Sequence, residues 1–228
     1  GLTAAELGAP GIDINFGCPA KRVNHHDGGA AILRSPVRAE RITRAVRDAV
    51  PAHVPVTVKI RLGYCDSSHV EELARAAEQG GASWLTIHGR TKEQMYQPPV
   101  DYVAIGRARQ AVRIPVVANG DITSPERMAL CAAESGCSAF MVGRGALANP
   151  YLFHALRGQR EVFHDTVPAF AEVLLRYEQL MDEGGFLPDG RLRRLKQWLG
   201  LAVLFAPHVR PLFDAMKREM ALESALSA

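Results

Sequence analysis

The feature that most constrains the fold of this chain is a regular alternation of short apolar runs with amphipathic stretches between residues 12 and 142. The runs are rich in β-branched residues. Continuous apolar runs of this length are typical of strands that are buried on both faces of a parallel sheet. The pattern predicts five strands, at Ile12–Asn15, Val54–Ile60, Trp84–Ile87, Pro115–Ala118 and Ala139–Val142.

The stretches between these runs are predicted to be helices with recognisable ends. Ser35-Pro36 and Ser124-Pro125 each place a capping hydroxyl before a proline, which is favoured at the first helical position. Gly80-Gly81 and Gly136 stand where helices are expected to stop. The sequence therefore predicts repeated strand–helix units.

Glycine and polar side chains follow every predicted strand. In an eight-stranded barrel all such strand ends meet at one face, which carries the active site, whereas a doubly wound sheet concentrates them at one switch point. The spread over five strand ends favours a (β/α)8 TIM barrel, an α/β fold, with about five of its eight βα units present. A doubly wound sheet is the alternative.

After Pro150 the pattern changes to helices only, predicted at Pro168–Met181, Arg191–Phe205 and Val209–Leu226. A small all-α bundle is the natural interpretation. We therefore expect a barrel domain over residues 1–150 and a helical domain over residues 151–228. The chain has no initiator Met and enters a strand within a dozen residues, so we expect it to be truncated at the N-terminus.

Composition is ordinary for a globular protein, with 47% hydrophobic and 22% charged residues. The net charge of +3 is only mildly basic, so any nucleic-acid site must be a local patch. The four cysteines form no C-x-x-C pair, which argues against a zinc ribbon or a thioredoxin motif. With no signal peptide and no long apolar run, a cytoplasmic location without membrane or metal is expected.

Two glycine-containing loops are candidates for a phosphate site. Gly143-Arg144-Gly145 follows the last predicted strand, and Asn119-Gly120-Asp121 follows the one before it. Glycine lets the backbone approach an anion closely, and barrels commonly bind phosphate at the loops after their last two strands. The alternative is that these glycines only make tight turns.

Lys59 and His88 lie at strand ends where they can reach a ligand. A lysine that points into a barrel mouth needs a negative partner, because an isolated buried ammonium is costly. Lys59 could stabilise a reduced flavin or form a Schiff base, or it could simply form a structural salt bridge. His88 could donate to a phosphate or a cofactor carbonyl, or be an ordinary rim histidine.

Cys18 stands between Gly17 and Pro19 on a strand-end loop. Most free cysteines are inert small hydrophobes, but a core cysteine does not need a rigid exposed turn. An ordinary thiol, with a pKa of about 8.5, is mostly protonated at neutral pH. Cys18 is therefore predicted to act as a general acid rather than as a nucleophile.

The one dense basic run is Arg191–Trp198, where Leu192 and Leu195 mark an apolar helix stripe. Arg194 points away from that stripe and Lys196 lies near its flank. The run is either a solvated helix face or a surface that binds phosphates.

Taken together, the strings DINFGCPAKRV, VKIRLG, IHGRTKEQMY, ANGDI and VGRGAL resemble the bacterial tRNA-dihydrouridine synthase family, and its C-type subgroup most closely. The resemblance runs from Gly11 to about Lys217. It departs at Asp121, where the family has Glu, and at Leu201, where an aromatic residue is expected. The first three βα units are not matched.

The resemblance implies a TIM barrel that holds FMN, followed by a helical tRNA-binding domain in a protein that is monomeric when full length. It implies that NADPH reduces the flavin, which passes a hydride to a uridine that is extruded from the folded tRNA, while Cys18 protonates the base. C-type resemblance suggests position 16 of the D-loop, with another D-loop position as runner-up. The implied FMN contacts are Lys59, His88, Asn119, Gly120, Asp121, Gly143 and Arg144, and the implied substrate and tRNA contacts are Asn15, Arg61, Tyr96, Arg194, Lys196 and Lys217.

Two other functions remain open on the sequence alone. One is another FMN-dependent barrel oxidoreductase that acts on a free pyrimidine, although a small substrate needs no basic helical surface. The other is an inactive tRNA-binding fragment.

Overall fold

The structure, a computed structural model, describes residues 1–159 and 166–222 of the chain. These residues divide into two compact units. The first unit contains Gly1–Ile122 and Glu126–Met141, and the second contains Thr123–Pro125 and the chain from Val142 onward. The domain boundary at residue 150 stays a prediction.

Within the described residues, the first unit contains one sheet of five parallel strands in the order β1-β2-β3-β4-β5. A doubly wound sheet reverses its strand order at a switch point, whereas consecutive neighbours are the order of a TIM barrel. The predicted fold class is therefore confirmed, and each strand lies within two residues of its predicted ends. The strands are β1 (Ile12–Asn15), β2 (Val56–Arg61), β3 (Leu85–His88), β4 (Val116–Asn119) and β5 (Ala139–Met141).

Helices connect the strands and end where the sequence predicts. The Ser35 hydroxyl accepts a hydrogen bond from the Arg38 amide at 3.3 Å, which caps α3. α4 stops before Gly80, and Gly81 follows with a φ of +89°. The helices of this region are α1 (Leu2–Glu6), α2 (Lys21–His25), a 3-10 helix (Gly29–Arg34), α3 (Pro36–Ala49), α4 (Val70–Gln79), α5 (Tyr102–Gln110) and α6 (Pro125–Ser135).

The core of the first unit lies between the sheet and these helices. β2 and β3 are buried along their whole length except at Lys59, which is half-buried. Residues such as Val58, Ile60 and Ile87 are almost completely withdrawn from water, and each buried side chain of this size contributes about 1.5–3 kcal/mol. A rigid central pair of strands results, and it carries polar residues at its carboxyl ends.

The described part of the second unit is helical. Its core includes Phe170, Leu195 and Leu199, and the indole of Trp198 packs edge-on against Tyr177 with 4.8 Å between ring centroids. The helix predicted at Pro168–Met181 is confirmed, and the helix predicted at Arg191–Phe205 is found three residues earlier at each end, with Pro188 at its first position. The elements are α7 (Gly145–Ala148), α8 (Leu152–Leu156), α9 (Val167–Glu183), α10 (Pro188–Ala202), a 3-10 helix (Pro207–Val209) and α11 (Arg210–Met216).

The third predicted helix, Val209–Leu226, is wrong in extent. α11 ends at Met216, and residues 223–226 lie outside the described part of the chain. The Glu219 amide donates a hydrogen bond to the Met216 carbonyl in a tight turn. The ammonium of Lys196 donates a hydrogen bond to the Glu219 carbonyl. Met220 is 88% exposed, so this apolar side chain does not hold the stretch against the core.

Candidate active site

The register of the sheet brings five predicted site residues to one edge. Asn15 pairs with Lys59 across β1 and β2. Arg61 pairs with His88 across β2 and β3, and His88 pairs with Asn119 across β3 and β4. Parallel strands all end at the same edge, so these side chains form one row at the carboxyl face of the sheet.

The loop that carries Cys18 is fixed by backbone contacts on both sides. The side-chain oxygen of Asn15 accepts from the Gly17 amide at 2.9 Å. The Cys18 carbonyl accepts from the Ala30 amide at 3.0 Å and from the side-chain amide of Asn24 at 2.8 Å. The free thiol of Cys18 is half-buried, so this side chain is held in place while part of its surface faces solvent.

Arg61 is buried, with 2% of its surface exposed, and it joins two loops. Its Nε donates to the Gly17 carbonyl at 2.9 Å, and its Nη1 donates to the Thr91 and Met95 carbonyls at 2.9 and 2.6 Å. Burial lowers the pKa of Arg61, while the phenol of Tyr96 opposes that shift. The guanidinium also lies 5.3 Å from the centre of the Tyr96 ring, which is 49% exposed.

Lys59 makes no hydrogen bond or ion pair with any residue in the described ranges 1–159 and 166–222. Burial and the neighbouring Arg61 lower its pKa, and the Asp13 carboxylate opposes that shift. Asp13 is itself bonded to the Thr57 hydroxyl at 2.6 Å. The salt bridge considered as a structural role for Lys59 is thus absent from this part of the chain.

His88 is buried beside three cations. Burial, with Arg61, Lys59 and Arg90 nearby, lowers the pKa of His88 to about 3. Its Nε2 lies 3.4 Å from a terminal nitrogen of Arg90. A guanidinium can only donate, so this contact favours a neutral imidazole whose proton is on Nδ1.

Arg90 is a site residue that sequence reasoning did not assign. It is 1% exposed, and its guanidinium forms two hydrogen bonds to the Asp121 carboxylate, one of them at 3.0 Å. Asp121 has a φ of +43°, a backbone conformation that residues other than glycine seldom adopt. The H-G-R string shows that Arg90 follows a strand. Its partner Asp121 can be identified only from the pairing of β3 with β4.

Asn119 and Gly120 are placed by the end of β4. The Asn119 side-chain amide donates to the Met141 carbonyl at 2.8 Å. Gly120 has a φ of +137°, and its carbonyl accepts from the Tyr102 hydroxyl at 2.6 Å. Gly143 and Arg144 belong to the second unit, where Arg144 lies 5.0 Å from the ring centre of Phe205. Their part in a phosphate site stays a prediction.

The basic run on α10 divides into structural and exposed members. Arg191 has 12% of its side chain exposed and pairs with Glu178 at 2.9 Å and with Asp182. Arg194 is exposed and lies 5.0 Å from the Phe186 ring centre, whereas Lys196 is half-buried. Lys217 pairs with Asp214 at 2.6 Å. The tRNA contacts assigned to Arg194, Lys196 and Lys217 stay predictions.

No helix within residues 1–159 and 166–222 combines the length and the apolar character that a bilayer span requires. In the same ranges no group of three or more His, Cys, Asp or Glu side chains is arranged to hold a metal ion.

Comparison with known proteins gives a consistent match. Residues 2–199 match the family model described as Dihydrouridine synthase (Dus). A tRNA-dihydrouridine(16) synthase from Ralstonia nicotianae is 42% identical over 223 residues, which cover 94% of this chain and 66% of the relative. One from Escherichia coli K12 is 43% identical over 198 residues, covering 86% and 62%. The chain thus spans about two thirds of the length of these relatives.

A solved structure of a dihydrodipicolinic acid synthase family protein from Escherichia coli K12 matches with a TM-score of 0.46 and 15% sequence identity. That match covers 95% of this chain and 72% of the other. It supports no statement about function.

Proposed function

Because this chain belongs to the dihydrouridine synthase family, we propose that the protein reduces uridine 16 in the D-loop of tRNA to 5,6-dihydrouridine, with FMN as cofactor and NADPH as reductant. Position 16 is proposed because the similar proteins are named tRNA-dihydrouridine(16) synthase. The observation that carries the proposal is the row formed by Asn15, Lys59, Arg61, His88 and Asn119 beside the Cys18 loop.

The donors of this row fit an anionic cofactor. Lys59 is a half-buried ammonium without a partner in the described ranges, and an electron-rich oxygen placed beside it would offset its desolvation. His88 is neutral and can donate a hydrogen bond without adding another charge. We assign FMN contacts to Lys59, His88, Asn119, Gly120 and Asp121, and the family resemblance adds Gly143 and Arg144.

FMN, when bound, supplies the hydride that C6 of the uracil ring receives, and NADPH is the source of the electrons. The Cys18 thiol gives its proton to C5, so that the C5–C6 double bond gains one hydride and one proton. The guanidinium of Arg61 is bonded to the carbonyl of Gly17, the residue next to Cys18, so a positive charge lies close to the loop that gives up the proton. Water then returns the proton to the sulfur.

Arg61 and Tyr96 are assigned to the extruded base, and Asn15 to its orientation. A uridine inside a folded D-loop is out of reach of a reducing site, so the nucleotide must turn outward into a pocket. The three backbone carbonyls that hold Arg61 fix its guanidinium before the substrate arrives. Such a preorganised donor loses little conformational freedom on binding. Arg194, Lys196 and Lys217 are assigned to the tRNA backbone.

The test is made on the gene that contains this sequence, in its own cell. Deletion should remove dihydrouridine from position 16 of tRNA, and a plasmid copy of the gene should restore it. Purified protein should oxidise NADPH in the presence of unmodified tRNA and not in the presence of free uracil. Loss at a different D-loop position would correct the assignment of position 16, and an unchanged dihydrouridine map would overturn the proposal.

A further inference from the structure

A groove of about 490 Å³ lies on the first unit beside the Cys18 loop, and we call it the basic groove. The residues that matter for its chemistry are Lys21, Arg22, Asn24, Arg34, Tyr64 and Lys92. Four of these six carry a positive charge, and no carboxylate lines the groove. A cleft lined by charges of one sign concentrates ions of the opposite sign.

The cations of the basic groove are not neutralised by the protein. Lys21, Arg22, Arg34 and Lys92 form no ion pair with a carboxylate in residues 1–159 or 166–222. Two acidic side chains nearby are engaged elsewhere. Asp27 pairs with Arg38 at 2.8 Å, and Glu93 accepts from the Cys65 thiol at 3.6 Å.

Two of these cations contact the ring of Tyr64. The guanidinium of Arg34 lies 3.7 Å from the centre of the Tyr64 ring, and the ammonium of Lys92 lies 4.7 Å from it. Two positive charges this close are within about one Debye length and repel each other. The ring offsets part of that repulsion through cation–π attraction. An anion bound beside these two cations would offset the rest.

The basic groove is attached to the loop of the proposed acid. α2 begins at Lys21, three residues after Cys18, and the side-chain amide of Asn24 holds the Cys18 carbonyl at 2.8 Å. A nucleotide whose base reaches Cys18 remains joined to its neighbours through a phosphate on each side. These phosphates must pass close to the Cys18 loop, and the basic groove is the cationic surface that adjoins it.

We propose that the basic groove binds backbone phosphates of the RNA that flank the nucleotide presented to Cys18. This inference rests on the proposed function and specifies how the substrate is held. Lys21 and Arg22, which are exposed on α2, contact phosphate directly. Arg34 and Lys92, held by Tyr64, form a second contact point.

The experiment measures binding of unmodified tRNA to the purified protein over a series of salt concentrations. The test variants are the double substitution Lys21→Ala/Arg22→Ala and the single substitution Lys92→Gln. The charge-matched control is Arg41→Ala/Arg75→Ala, which removes two exposed arginines from α3 and α4. Each lost phosphate contact lowers the slope of log K against log salt by about 0.7–0.9. We therefore expect the test double variant to lose about 1.4–1.8 of slope, Lys92→Gln about half of that, and the control none.

FMN content and the rate of flavin reduction by NADPH should match the parent protein in every variant. If the slope of Lys21→Ala/Arg22→Ala equals that of the parent or of the control, the groove proposal is wrong. If that variant instead loses affinity for NADPH, the groove binds the dinucleotide phosphate and the proposal is again wrong. If the parent protein and the variants bind tRNA with the expected slopes but the parent forms no dihydrouridine, the groove proposal stands and the proposed function is wrong. A parent that binds no tRNA overturns both.

Discussion

Arg61 joins two loops of the candidate site. Its side chain ties the carbonyl of Gly17, next to Cys18, to the carbonyls of Thr91 and Met95 on the loop that carries Tyr96. A lysine has an ammonium instead of a planar guanidinium, so it cannot donate to these three carbonyls in the same geometry. The position of the Cys18 loop and the position of the Tyr96 loop therefore depend on one buried guanidinium.

The role of Cys18 is tested by Cys18→Ala in the protein produced from its gene. Flavin reduction by NADPH should be unchanged because it does not involve the thiol. Formation of dihydrouridine should fall about 10²–10⁴-fold, the usual contribution of a general acid. Cys65→Ala removes an exposed free cysteine and is the control. Equal turnover of tRNA by the parent and by Cys18→Ala would show that another group protonates C5.

The buried His88 should make the stability of the protein sensitive to acid. Its pKa is lowered from 6.5 to about 3 in the folded chain. Between these values the unfolded chain binds a proton that the folded chain does not, so the free energy of unfolding decreases as pH falls through this window. One such group contributes a slope of at most about 1.4 kcal/mol per pH unit.

Denaturant titrations between pH 7 and pH 4 should therefore show a smaller loss of stability in His88→Asn than in the parent. The exposed His53 gives the control variant His53→Asn, which should follow the parent. Parallel curves for all three proteins would mean that the pKa of His88 is the same in the folded and the unfolded chain.

At the scale of elements, the sequence predicts the strands well and the end of α11 poorly. β3 is found within one residue of its predicted bounds because an apolar run that is buried along its whole length has few alternatives to a parallel strand. The end of α11 depends on Lys196 of α10, which binds the Glu219 carbonyl from 23 residues away. No local pattern contains that contact.

The same limit applies to the site. Lys59 and His88 could be predicted because each lies at the carboxyl end of its own strand. The pairing of Arg90 with Asp121 joins two strand ends that are 31 residues apart. The sequence shows both residues, but only the register of β3 and β4 shows that Arg90 forms an ion pair with the Asp121 carboxylate.

Arg191 should be a major stabilising residue of the second unit. Its side chain and that of Glu178 are 12% and 14% exposed, and it also pairs with Asp182. Removing one partner of a buried ion pair leaves a charge without compensation and costs about 3–5 kcal/mol. Arg191→Met should therefore lower the free energy of unfolding by about this amount, as measured by chemical denaturation.

Two further variants identify the cause. Arg191→Met/Glu178→Met removes both main charges and should recover most of the loss. Arg193→Met changes an exposed neighbour whose Nε donates only to the Asp189 carbonyl, and its effect should stay within about 0.5 kcal/mol. A loss for Arg193→Met as large as that for Arg191→Met would show that the ion pair is not the source of the effect.

At the scale of the whole molecule, the sheet has two open edges. The outer sides of β1 and β5 pair with no strand in the described residues. Unpaired edge strands present rows of free backbone donors and acceptors, and these attract other chains. The composition of the chain gives no indication of this property, since it is mildly basic and ordinary in hydrophobic content.

We therefore expect the 228-residue chain, when it is purified by itself, to associate with increasing concentration. Light scattering should give a mass above the 24.8 kDa of one chain. A solution that stays at the mass of a single chain at all concentrations would show that both edges are covered.

The close approach of Gly29 to Cys18 has a genetic consequence. Gly29 has a φ of +56°, and a side-chain carbon at this position would lie 2.8 Å from the Cys18 carbonyl oxygen. Every missense change of a glycine codon adds at least that carbon, so no amino-acid replacement at this codon is sterically silent. In a library of all single substitutions selected for tRNA modification, position 29 should tolerate synonymous changes only, whereas Gly8, with no atom within 4 Å of such a carbon, should be limited by its backbone angle alone.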